Sequence, residues 1–79
     1  MNKIAGYRKM LGLTQEDIAK IFKISVQAYR MKEKGISSFK KNEMIWFRDT
    51  LRGSMFPSIT IDEIFFDSKP TQTELKGGD

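Results

Sequence analysis

The side chains able to do chemistry set narrow limits on this protein. It contains no cysteine and no histidine, so a thiolate nucleophile, an imidazole base and the sulfur or imidazole ligands of most transition-metal sites are all missing. Carboxylates remain, and they form two adjacent pairs, Glu16 with Asp17 and Asp62 with Glu63. Each pair falls in the first turn of a predicted helix, where the positive end of the helix dipole stabilises an acidic side chain. Both pairs are read as helix caps, and no enzymatic activity, metal or cofactor is expected.

Charge points to a partner instead. The net charge is +4, but residues 1–41 hold ten Lys and Arg against three Asp and Glu, while residues 42–79 hold four against seven. A half carrying +7 beside a half carrying −3 suits a polyanion, because each Lys or Arg that neutralises a phosphate releases a condensed counterion. No apolar run approaches the ~20 residues that span a bilayer. The N-terminus shows no signal-peptide pattern and there is no cysteine to pair, so a cytoplasmic location is expected.

Holding those charges in place falls to five predicted helices and no strand. The first covers residues 3–11, with Ile4, Tyr7, Arg8 and Leu11 on one side and Gly12 as its left-handed stop. Thr14 opens the second: its hydroxyl can accept a first-turn amide, Asp17 can reach back, and Ile18, Ile21 and Phe22 form the buried stripe. That helix ends near Phe22. Only Lys23 and Ile24 precede Ser25, the next N-cap, so the third helix runs over 26–34 and stops at Gly35. Two helices joined this tightly stand at a steep angle, the geometry of a helix-turn-helix, and small Ala19 lets them approach. A loop over 36–39 leads to a fourth helix, 41–52, with Met44, Ile45, Phe47, Arg48 and Leu51 at helical spacing and Gly53 as its end. Thr60 and Glu63 repeat the capping-box spacing, which places a short fifth helix at 61–65. The chain is thus one domain over 1–66, followed by a polar stretch, 67–79, expected to be a flexible tail.

The run Gly12-Leu13-Thr14-Gln15-Glu16-Asp17-Ile18-Ala19-Lys20, the Ser25 start, Tyr29, and Lys32-Glu33-Lys34-Gly35 resemble the Cro and repressor-type helix-turn-helix family, often called the Xre family. The segment Ile59-Thr60-Ile61-Asp62-Glu63-Ile64-Phe65-Phe66 is similar to short phage and Gram-positive bacterial regulators of that family. The resemblance covers about residues 4–66. It implies an all-α, compact five-helix, lambda-repressor-like domain whose third helix enters the DNA major groove, with Gln15 donating to a phosphate at the start of the second helix. The physics of a helix N-terminus, with free amides and partial positive charge, agrees.

On the third helix Tyr29 and the stem of Lys32 belong to the apolar side, which leaves Val26, Gln27, Ala28, Arg30 and Met31 to read bases. Gln27 is the first choice, since its amide can bond adenine N6 and N7 together, whereas Val26 and Ala28 offer apolar contact to a thymine methyl. Arg30 suits either guanine or a phosphate. Ser25 and Lys34 resemble family positions that touch the DNA backbone, and Lys40 and Lys41 add phosphate contacts. Arg8 and Glu33 are assigned to structure, because in the family these positions form a largely buried ion pair.

Two positions depart from the family pattern. Lys23 replaces a common Gly and must take a positive φ or alter the turn. Lys32 replaces an aliphatic or aromatic residue, its stem covering the core while its ammonium snorkels outward. Aromatic residues left exposed among Trp46, Phe47, Phe56, Phe65 and Phe66 would pair two copies on a palindromic operator. The resulting expectation is a sequence-specific, double-stranded DNA-binding transcriptional regulator acting as a homodimer. The alternative is a helix-turn-helix modulator, antirepressor or antitoxin that binds a partner protein.

Overall fold

Local capping decides where the helices begin and stop. The computed structural model describes residues 3–66, so the polar stretch 67–79 lies outside the described residues. Five helical elements follow one another: α1 (Lys3–Met10), α2 (Gln15–Phe22), α3 (Val26–Glu33), α4 (Lys41–Ser54) and a single π-helical turn, α5 (Asp62–Phe66). No strand occurs among the described residues. The protein is an all-helical, compact five-helix domain with a helix-turn-helix at α2 and α3.

Gly12, at φ 74°, stops α1 as expected. Thr14 opens α2: the Asp17 amide donates to Thr14 Oγ1 at 3.0 Å, and the Thr14 amide donates to Asp17 Oδ2 at 2.8 Å. These reciprocal bonds hold the Asp17 carboxyl below its usual range, so the acidic residue here serves the fold. The Thr60–Glu63 pair repeats the device at the last element, where the Thr60 amide donates to Glu63 Oε1 at 3.0 Å and the Glu63 amide to Thr60 Oγ1 at 3.2 Å. Lys3 Nζ donates to the Glu63 carbonyl at 2.6 Å, fastening the first element to the last.

The core gathers one or two residues from each element, Ile4, Ile18, Ala19, Tyr29, Phe47, Leu51 and Ile64, together with Ile59 from the segment between α4 and α5. Burying large apolar side chains stabilises a domain by about 1.5–3 kcal/mol each, and aromatic rings supply much of the area here. Phe22 meets Trp46 edge-on at 5.5 Å, while Phe39 touches Tyr29, Phe47 and Phe65. Phe39 thus plugs the bundle from what the sequence presents as loop. Of the C-terminal aromatics, Phe47 is fully buried, Trp46, Phe56 and Phe65 are half-buried, and Phe66 is 65% exposed.

Three expectations are corrected. Ile21 is exposed, because the inward side of α2 is centred on Ile18, Ala19 and Phe22 and Ile21 falls about a third of a turn away from it. Gly53 lies inside α4, which runs on to Ser54; Met55 caps the helix by donating its amide to the Leu51 carbonyl. The Lys32 ammonium does not snorkel to solvent, and its partner is described below.

Candidate nucleic-acid interface

The candidate surface is built on the turn between α2 and α3. Lys23 adopts φ 60° and ψ 43°, the left-handed conformation that the tight connection demands. Its lysine side chain gains nothing from that backbone and costs about 1 kcal/mol relative to glycine. Ser25 then starts α3, its Oγ accepting the Ala28 amide at 3.0 Å. Gly35, at φ 84°, follows the far end of the helix. These devices fix both ends of an eight-residue helix too short to be stable by itself.

Helical spacing divides α3 into two faces. Val26, Tyr29 and Glu33 turn inward: Tyr29 and Glu33 are buried, and Val26 is half-buried against the core. Gln27, Arg30, Met31 and Lys34 share the opposite stripe, at intervals of three and four residues, and all are exposed. Ala28 is half-buried between the faces. The stripe therefore offers an amide, a guanidinium, a thioether and an ammonium along one side of a fixed helix.

Behind the stripe sits a buried ion pair. Arg8 Nε donates to Glu33 Oε2 at 2.7 Å, and its side chain also reaches the Leu13 carbonyl at 3.0 Å. The Tyr29 hydroxyl donates to Glu33 Oε2 at 2.8 Å, and Gln15 Nε2 donates to Glu33 Oε1 at 2.8 Å. Burial pushes the Glu33 carboxyl up, but the bonds from Arg8, Tyr29 and Gln15 outweigh it and hold the group below its usual range. Burial and the bond to Glu33 push the Tyr29 phenol up, and the bond to Glu33 raises Arg8. The set ties α1, the start of α2 and the end of α3 together.

Gln15 is half-buried and carries this network to the surface: its Oε1 accepts Arg30 Nε at 3.0 Å. The N-terminus of α2 therefore stands beside the exposed stripe of α3. Lys34, Lys40 and Lys41 are exposed at and beyond the other end of α3, as is Ser25 before it.

A second ion pair, between Lys32 and Glu43, was not legible in the sequence. Lys32 Nζ lies 3.0 Å from Glu43 Oε1 and donates to the Ser38 carbonyl at 3.0 Å, with the Phe39 ring 6.0 Å away. Only 11% of the Lys32 side chain and 3% of the Glu43 side chain are exposed. Glu43 also accepts the Lys40 amide at 2.8 Å, so one carboxylate caps α4 and anchors α3 to it. A glutamate three residues after Lys40 is the one available signal, but Lys40 lacks the hydroxyl or carboxamide that marks a capping box.

Among the described residues no cluster of His, Cys, Asp and Glu could hold a metal ion, and no helix is long and apolar enough to cross a membrane. The chain matches no protein-family model, no curated protein and no solved structure. What the surface can bind follows from its own residues.

Proposed function

We propose that the protein is a sequence-specific DNA-binding regulator of the helix-turn-helix type, with α3 as the reading helix. The exposed stripe of Gln27, Arg30, Met31 and Lys34 carries this reading, together with the α2 N-terminus beside it. An α-helix fits the major groove, where Gln27 can pair with adenine and Met31 and the edge of Ala28 can meet a thymine methyl. Lys34, Lys40, Lys41 and Ser25 suit the phosphates on either side, and they position the helix without carrying sequence information. The resemblance to the Cro and repressor-type family agrees with this assignment. Exposed Phe66 and Met55 support self-pairing through the segment that follows the reading helix, and a symmetric pair would recognise half-sites about 10–10.5 base pairs apart or a multiple of that.

The test separates reading from holding. Duplexes are selected from a random pool, and binding of the selected site and of random DNA is then measured with two variants. Gln27→Ala loses about 1–3 kcal/mol on the selected site and little on random DNA. Lys34→Ala weakens both alike and lowers the salt slope by about one. If Gln27→Ala weakens every sequence equally while Lys34→Ala relaxes base preference, α3 is not the reading helix.

A further inference from the structure

The polar chain from Arg8 through Glu33 and Gln15 ends on Arg30, and its chemistry fixes the direction of every bond. Glu33 only accepts and a guanidinium only donates, so Gln15 must turn its nitrogen to Glu33 and its oxygen to Arg30. That is the arrangement found, at 2.8 Å and 3.0 Å. The Gln15 amide cannot be reversed without setting its oxygen against a carboxylate and its nitrogen against a guanidinium.

Arg30 is thereby constrained in a way that its exposure alone does not suggest. Its Nε is held by Gln15, and its two terminal nitrogens make no hydrogen bond among the described residues. A free arginine offers either its side, through Nε and one terminal nitrogen, or its end, through both terminal nitrogens. Arg30 keeps the end-on fork. Two coplanar acceptors require a fork held in one plane, and guanine O6 and N7 are such a pair in the major groove. The two free oxygens of a phosphate can also accept such a fork, so the choice of guanine rests on where Arg30 stands, on the exposed stripe of the helix and not at its end. Gln27 lies three residues earlier on the same exposed stripe, so both side chains project from the same side of α3.

Resting on the DNA-binding reading above, we infer that Arg30 reads a guanine end-on and that Gln15, fixed by buried Glu33, is the positioning residue that holds its guanidinium in plane. Gln15 retains a second amide hydrogen for a phosphate, so one side chain serves the backbone contact and the orientation of Arg30.

The first test needs only the free wild-type protein. In nitrogen-resolved NMR spectra the Arg30 Nε–H exchanges with water several-fold more slowly than that of a free arginine, and Gln15→Met removes the protection. Exchange at the free rate in the wild type overturns the positioning role without recourse to any variant. The second test compares sites selected from a random duplex pool. Wild type shows a guanine at one position, and both Arg30→Lys and Gln15→Met lose that preference by roughly tenfold or more while other positions keep theirs. Thermal unfolding of each variant establishes that it is folded. If Arg30→Lys weakens all sequences equally, Arg30 holds a phosphate and the guanine assignment fails. If Gln15→Met keeps the guanine preference that Arg30→Lys loses, the positioning role alone fails. A wild-type protein that enriches no sequence overturns the DNA-binding reading, and this inference falls with it.

Discussion

Glu33 shows how one side chain links the core of this domain to its surface. The carboxylate is 7% exposed, a burial that would be costly for an isolated charge, and Arg8, Tyr29 and Gln15 supply the donors that make it tolerable. The same bonds make stability depend on pH at both extremes. Glu33 is held below its ordinary value of 4.5, so its contribution is complete above pH 4.5 and is lost as pH falls through the lower folded value. Tyr29 is raised above its ordinary value of 10.0, so its contribution is present below pH 10.0 and is lost as pH rises past it. The melting temperature is expected to form a plateau bounded on both sides, and Tyr29→Phe should flatten the alkaline limb relative to wild type. An alkaline limb unchanged in Tyr29→Phe would show that the phenol does not contribute to it.

At the scale of elements, strain and compensation sit next to each other. Lys23 occupies the left-handed turn position, and Lys23→Gly should stabilise the protein by about 1 kcal/mol in urea unfolding; a loss of stability would place a favourable Lys23 contact in that turn. The Lys32–Glu43 pair joins the end of α3 to the start of α4. Lys32→Met should cost about 3–5 kcal/mol by leaving a buried carboxylate without its cation, and adding Glu43→Met should recover part of that, because an apolar pair needs no ionic partner although the cap on α4 is lost with the carboxylate. A double variant no more stable than the single one would contradict this account. Elements with side-chain caps were the legible ones: Thr14 with Asp17, Ser25, and Thr60 with Glu63 each announce a helix start through residue type and spacing. The start of α4 was legible only by its apolar spacing, and its end was misplaced because Gly53 keeps a negative φ and continues the helix. The pairing of Lys32 with Glu43 has no sequence signal, because a charged head group counts as surface in any periodicity argument and only tertiary contact reveals that the two satisfy each other. Among the candidate site residues, helical spacing places Gln27, Arg30 and Met31 on the exposed side of α3, but Val26, expected to read bases with them, packs against the core instead, and the bond from Gln15 to Arg30 spans fifteen positions and leaves no local trace.

The whole molecule divides its charge along the chain. Residues 1–41 carry +7 and include the helix-turn-helix with the lysines that follow α3, while residues 42–79 carry −3 and include α4 after its first residue, α5 and the exposed Phe66. This division suits a protein whose first part meets a polyanion and whose later part meets protein. Binding to a site selected from random duplexes, titrated between about 50 and 200 mM salt, tests the central claim most directly. If about six phosphates are neutralised, affinity should fall by roughly 10³-fold or more over that range, while the selected site remains preferred over random DNA at each salt concentration. Binding that ignores salt, or no binding at about 50 mM, a salt level at which phosphate contacts are strong, would contradict the account.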